Sequence, residues 1–250
     1  MGAITAITSR PVVVPAPALM QVTALTKHYG DQCTLAEVTF DIRPGEVLGL
    51  IGPNGAGKTT LLEAIAGVLP ADAGTILWRG VPLPVARRRE VMFYLPDGVR
   101  PWDDQYTGRV IEFFAAAYRR QAREVAEIIG AVGLWPVLGK RIFELSKGYA
   151  RRLMLALALL TPQPLLLMDE PFDGFDLRQT RDMMKLIRET AARGRTLIVA
   201  IHQLVDAERV SDRFVLLTGG HVRGSGTLDE LRGRTALGSA RLEDVFLALT

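Results

Sequence analysis

The strongest chemistry in the sequence lies in one run: Gly52, Pro53, Asn54, Gly55, Ala56, Gly57, Lys58, Thr59 and Thr60. It fits the phosphate-binding loop pattern G-x-x-x-x-G-K-[ST], with Gly52, Gly57, Lys58 and Thr59 at the fixed positions. A polyphosphate carries several negative charges and needs many donors. Glycines let the backbone curl so that successive N–H groups point inward. A helix that follows adds its free N-terminal N–H groups and the positive end of its dipole. Lys58 supplies a point charge for the β- and γ-phosphates, and the Thr59 hydroxyl suits Mg²⁺. A glycine turn that merely precedes a helix has no reason to hold Lys-Thr at the helix start.

A pair of carboxylates forms the other half of the chemistry. Asp169, Glu170 and Pro171 follow the apolar run Leu165 to Met168. In doubly wound sheets, ligands bind just outside the carboxyl ends of strands. Asp169 is therefore expected to hold Mg²⁺ through water, and Glu170 to polarise an attacking water. Without the phosphate loop the pair would read as polar residues capping a strand-to-loop turn. Further evidence comes from Leu145-Ser146-Lys147-Gly148-Tyr149, ahead of an apolar helical run. Ser146 reads as a helix cap. A small polar residue and a glycine at a helix start also make an anion site.

These residues need elements to hold them. Glu46 to Ile51 is a short apolar run that reads as a buried strand feeding the loop, and Leu61 to Leu69 has apolar residues at helical spacing. Strand, glycine loop and helix is the context the motif requires. Met20 to Thr26 and Leu35 to Ile42 alternate as strands, with Lys27 to Asp31 as their turn. Pro44-Gly45 and Ala73-Gly74 read as turns, and Thr75 to Arg79 as a further short piece. These pieces predict an antiparallel sheet beside the nucleotide core. Arg87-Arg88-Arg89 reads as a solvated basic face, and Val91 to Leu95 as a buried strand. From Asp97 to about Thr161 the pattern is helical, over Arg109 to Arg119, Gln121 to Ala131 and the buried Leu153 to Leu160. After Pro164 the pattern returns to α/β. Leu165 to Met168 is a strand buried on both faces, Leu177 to Ala191 a helix, Thr196 to Ile201 and Asp212 to Leu217 strands, and Arg241 to Leu249 a short amphipathic helix.

Composition narrows the class. The 250 residues are 48% hydrophobic, enough for a large core. Thirty basic residues against 27 acidic ones give a net charge of +3, a mixed surface without a nucleic-acid footprint. Cys33 is the single cysteine, which excludes an internal disulfide and fits a reducing cytosol. Prolines 11, 15 and 17 interrupt the apolar start, which reads as a flexible extension and not as a signal peptide. Pro162 and Pro164 end the most apolar run well short of the roughly 20 residues that span a bilayer. A membrane attachment would need another protein.

In combination and in order, the phosphate loop, the Ser146–Gly148 signature, the Asp169-Glu170-Pro171 strand end and the later His202 resemble the ATP-binding subunit of an ABC transporter, over roughly Met20 to Thr250. The ending Leu242 to Leu249 resembles bacterial export-type systems. The resemblance implies an α/β fold: a P-loop NTPase core with a parallel sheet, an antiparallel β subdomain and an inserted helical subdomain. Residues 1–18 would be an extension, 19–235 the ATPase domain with its helical subdomain at about 97–161, and 236–250 a C-terminal helix. It also implies a head-to-tail pair of ATPase subunits, identical or not, with ATP and Mg²⁺ between the loop of one and the signature of the other. Ser146 and Gly148 would touch the γ-phosphate on the partner. Gly174-Phe175-Asp176 matches the loop crossing that interface, and His202 matches a γ-phosphate contact. Tyr29 matches the aromatic that stacks on adenine, against the alternative of a core tyrosine. An integral-membrane permease would be the other partner, with this chain at the cytoplasmic face of the inner membrane and no span or nucleic acid of its own. Pro101 to Tyr106 would face it, with Trp102 and Tyr106 as anchors or as packing residues.

Three motifs depart from the family pattern. Asp97 stands where the family has a Gln near Mg²⁺ and the water; a carboxylate can ligate the ion but cannot donate, so altered turnover or coupling is expected, with Gln105 as a displaced substitute. Lys147 and Tyr149 replace the signature's first glycine and its Gln. Phe172 and Phe175 are bulky for the interface loop. The alternative is a soluble ABC ATPase without transport, for example in cofactor-cluster assembly.

Overall fold

The computed structural model describes residues 17–235 and 237–250. The proposed extension over 1–18 therefore falls almost wholly outside the described residues. The chain opens with strands β1 (Met20–Tyr29), β2 (Gln32–Ile42) and β3 (Val47–Ile51), and helix α1 (Lys58–Ala66) follows. Next come β4 (Ala73–Trp78), β5 (Val81–Pro82), α2 (Val85–Val91) and β6 (Met92–Leu95). Helices α3 (Thr107–Ala117), α4 (Ala122–Val132) and α5 (Lys147–Leu160) form the helical stretch. The rest alternates: β7 (Leu165–Asp169), α6 (Leu177–Ala192), β8 (Thr196–Ile201), α7 (Leu204–Val210), β9 (Arg213–Thr218), β10 (His221–Gly226), α8 (Leu228–Thr235) and α9 (Leu242–Leu249).

Two sheets result. The antiparallel one has four strands in the order β2-β1-β4-β5, and the other has six, β10-β9-β3-β8-β7-β6. In the larger sheet β6, β7, β8, β3 and β9 run parallel, and β10 closes one edge antiparallel to β9. Strands β3, β7 and β8 are buried at every position, as strands covered on both faces must be. Alternate side chains feed two cores. Leu48 and Leu50 point to the side packed by α1 and the antiparallel sheet. Val47 and Ile51 point to the side packed by α5, α6 and α7.

Several boundaries differ from the sequence reading. Lys27 to Tyr29 belong to β1, and the turn shrinks to Gly30-Asp31, because Lys27, His28 and Tyr29 pair with Leu35, Cys33 and Gln32. Ala73 and Gly74 belong to β4, drawn in by pairing of Ala73 with Thr26. The arginine run is not simply a solvated face. It lies on α2, and the Arg88 guanidinium donates to the carbonyls of Ala64 at 2.6 Å and Ile65 at 3.3 Å, capping the end of α1. Burial pushes Arg88 below its usual value.

Candidate active site

Parallel pairing aligns Ile51 with Ile201 and Asp169 with Ala200, so β3, β8 and β7 end side by side. They deliver the phosphate loop, His202 and the Asp169-Glu170 pair to one edge of the sheet. The loop is pinned from behind. Ala56 accepts from Gly220 at 3.2 Å, and Gly220 accepts from Ala36 at 2.9 Å, which ties the loop to the antiparallel sheet. Gly57 sits at φ 101°, and a Cβ there would lie 2.9 Å from the Thr34 carbonyl oxygen, so conformation and space both demand glycine.

Lys58 opens α1 and is only 7% exposed. Its Nζ donates to the carbonyls of Gly52 at 2.8 Å and Pro53 at 3.3 Å and lies 3.6 Å from Glu170 Oε1. The ammonium is thus held inside the ring of the loop, where phosphate oxygens can exchange for these partners. The Thr59 hydroxyl donates to Asp169 Oδ2 at 2.7 Å. Asp169 is 1% exposed, and its other oxygen, Oδ1, is buried with no partner. Burial pushes its carboxyl up; the Thr59 hydrogen bond opposes this, and Glu170 and Asp97 add to it. The neighbouring Tyr94 hydroxyl is also buried without a partner, and burial with the Asp169 charge raises its value strongly. A buried carboxylate oxygen with nothing to bind, beside a threonine hydroxyl, fits a hard oxygen-seeking cation such as Mg²⁺. Among the described residues no three His, Cys, Asp or Glu side chains cluster as a metal cage.

Glu170 stands at φ 47°, a left-handed conformation that costs a non-glycine residue on the order of 1 kcal/mol. Its amide donates to the Ala200 carbonyl at 3.1 Å, and its own carbonyl accepts from the Asp173 amide at 3.1 Å. The carboxylate is fixed on both sides: Oε2 lies 2.7 Å from His202 Nδ1, and Oε1 faces Lys58. Glu170, His202, Phe172 and Asp206 line a cleft of about 370 Å³.

The other expected residues sit around this cluster. Tyr29 is 50% exposed at the end of the β1–β2 hairpin, with Lys27 Nζ 5.7 Å from its ring centre, so it is not a core tyrosine. Ser146 caps α5, its hydroxyl accepting from the Tyr149 amide at 3.3 Å. A Cβ on Gly148 would come within 3.3 Å of Gln179 Oε1. Among the described residues, no hydrogen bond joins Ser146 or Gly148 to Gly52–Thr60. Asp176 caps α6 by accepting from Gln179 at 2.8 Å. Phe172 turns into the core and Phe175 is half-buried against it, so neither ring stands free on the surface. Asp97 lies close enough to act on Asp169, yet its partner is Arg151, at 2.5 Å. Arg151 and Asp173 escaped the sequence reading. Only the fold brings their charges to Asp97, and no spacing signals it.

The sequence pattern of the ABC transporter family matches residues 35–173, more than half of the chain. The chain belongs to the ABC transporter family. It is an ATP-binding domain of that family, and it is similar to the following relatives. The Nod factor export ATP-binding protein I of Rhizobium etli is 35% identical over 222 residues, covering 84% of this chain and 69% of that one. The ABC-type transporter ATP-binding protein EcsA of Bacillus subtilis is 30% identical over 239 residues, covering 93% and 96%. A solved ATP-binding subunit of an ABC transporter superposes with a TM-score of 0.84 at 30% identity, over 92% of this chain and 99% of that chain. Among the described residues of the ABC domain, no helix is long and apolar enough to cross a membrane.

Proposed function

We propose that the chain hydrolyses ATP at the Lys58–Asp169–Glu170 cluster, and that hydrolysis drives export of a substrate through a separate integral-membrane permease. One observation carries the ATPase reading: an unpartnered buried oxygen of Asp169 faces a site where Thr59, Lys58 and Glu170 converge. The loop amides and Lys58 would bind the phosphates, and Tyr29 would stack on the base. Thr59 and Asp169 would hold Mg²⁺, which when bound offsets the phosphate charge. Glu170, oriented by His202, accepts the proton of the attacking water. Strain at Glu170 fixes the carboxylate before substrate arrives.

Ser146 and Gly148 lack a link to the chain's own loop, which supports a second ATPase subunit, identical or not, that presents them across an interface. Asp176 and the Asp173–Phe175 loop would line that interface. ATP can close such a pair only if it binds the closed arrangement more tightly than the open one. Relatives named for Nod factor export support the export direction, and the transporter family supports a separate permease. A groove lined by Val68, Phe93, Tyr94, Pro96 and Val99 offers the permease an apolar seat beside the site. This would place the chain at the cytoplasmic face of the inner membrane.

Glu170→Gln keeps the shape and removes the base. Hydrolysis by the purified chain, or by the chain with its permease, should fall on the order of 10²–10⁴-fold. Light scattering should show an ATP-dependent dimer that persists. A variant that hydrolyses like wild type would remove Glu170 from this role.

A further inference from the structure

Asp97, Arg151, Asp173 and Lys147 form a string of alternating charge that reaches from the groove to the backbone of Glu170. Asp97 lies in the loop between β6 and α3, one residue after the groove-lining Pro96. Arg151 is on the second turn of α5 and is 9% exposed. Its Nη2 lies 2.5 Å from Asp97 Oδ1 and 3.8 Å from Asp173 Oδ2, and its Nε donates to the Asp173 carbonyl at 3.3 Å. Lys147 Nζ, from the start of the same helix, lies 2.7 Å from Asp173 Oδ2. The Asp173 amide donates to the Glu170 carbonyl.

The two carboxylates are not equivalent. Asp97 holds the guanidinium by a direct charge-assisted hydrogen bond, whereas the Asp173 carboxylate waits just beyond hydrogen-bond range. A buried guanidinium cannot stand uncompensated and cannot lose its proton. If Asp97 withdraws, Arg151 must close on Asp173.

We propose that Arg151 is a positioning residue that couples the β6–α3 loop to Glu170, by dividing its guanidinium between Asp97 and Asp173. Movement of Asp97 then reaches Glu170 through the Asp173 amide. The kinetic consequence rests on the reading of Glu170 as the base; the mechanical coupling does not.

The test uses hydrogen exchange on the whole chain, with steady-state kinetics beside it. Asp97→Asn frees Arg151 to close on Asp173, so the amides of Asp173 and Phe175 should exchange several-fold more slowly than in wild type, by about fivefold. Arg151→Gln removes the clasp altogether, and the same amides should exchange faster by a similar factor of about five. A purely structural role would accelerate both. In each variant kcat should fall on the order of tenfold while KM for ATP stays within about twofold. Asp97→Glu and Arg151→Lys should recover most of kcat. Unchanged exchange in Asp97→Asn, or faster exchange in both variants, overturns the proposal. Asp97 is half-exposed, so its variant remains informative if Arg151→Gln misfolds. Opposite exchange shifts in a chain without ATPase activity would support the coupling and remove the hydrolysis reading instead.

Discussion

Without a cation, the Asp169 carboxylate is ionised at a cost, because it is buried and one oxygen has no partner. Its raised value means that the folded chain holds the proton more tightly than the unfolded chain, between pH 3.8 and that value. Stability from this group is therefore fully present at low pH and is lost as pH rises through that window. Asp169→Asn removes the charge, and its amide oxygen can still accept from Thr59. In EDTA near neutral pH it should be more stable than wild type by about 1–3 kcal/mol, the scale of an unsatisfied buried group. For a chain of this size each kcal/mol moves Tm by roughly 2–4 °C. The gap should narrow as pH falls, and Mg²⁺ with ATP should raise Tm more in wild type than in the variant, which keeps the loop and Lys58. A lower Tm for the Asn variant in EDTA sinks this account. The Lys58-Thr59 and Asp169-Glu170 pairs could be picked out because each is a local run, and the fold does bring the two runs together. The Arg151–Asp97 contact could not, since it joins residues 54 apart that only the fold brings together.

Helix ends explain both the successes and the failures at the level of elements. Strands β3, β7 and β8 were readable because burial on both faces leaves continuous apolar runs. Helix α2 was missed because its three arginines look solvated, while Arg88 spends its charge on the last carbonyls of α1. Strand β10 carries Gly224 and Gly226, which weaken strand propensity, and its pairing with β9 overrides that. Helix α8 was missed as well, although Thr227 and Glu230 exchange hydrogen bonds at 2.8 and 3.2 Å in a capping box spelled T-x-x-E. Asp176 shows that one residue can serve two levels. It caps α6 whatever else it does. Asp176→Ala should cost about 1 kcal/mol in urea unfolding, and Asp176→Ser should recover most of it. If the Ser variant also hydrolyses ATP normally, the carboxylate acts as a cap alone. If stability returns without activity, the carboxylate serves the nucleotide interface as well.

The whole molecule brings the Lys58–Asp169–Glu170 cluster and an apolar groove within one short loop of each other. β6 ends with Tyr94 and Leu95, whose neighbours Pro96 and Asp97 leave the sheet between the groove and the cluster. On the groove side Val68 and Val99 are exposed, and Trp102 beyond them is 82% exposed, so it is not a packing residue of the helical stretch. Tyr106 is half-covered by Arg141, whose guanidinium lies 5.3 Å from its ring centre. Such side chains gain from burial only in a partner, at roughly 25 cal/mol per Å² removed from water. A charge placed there would cost the complex and spare the ATP site. Val99→Asp should therefore reduce recovery of a multi-helix membrane protein with the tagged chain, from detergent-solubilised native membranes, by about tenfold for each 1.4 kcal/mol lost. ATP binding by the purified variant should stay within about twofold, since the substitution touches none of the phosphate contacts. If Trp102→Ala weakens recovery and Val99→Asp does not, the permease seats on the Pro101–Tyr106 edge and not in the groove. If wild type itself emerges only from the soluble fraction, with soluble partners, the transport reading fails. The ATPase reading would survive that result, because Lys58, Asp169 and Glu170 converge without any help from the groove.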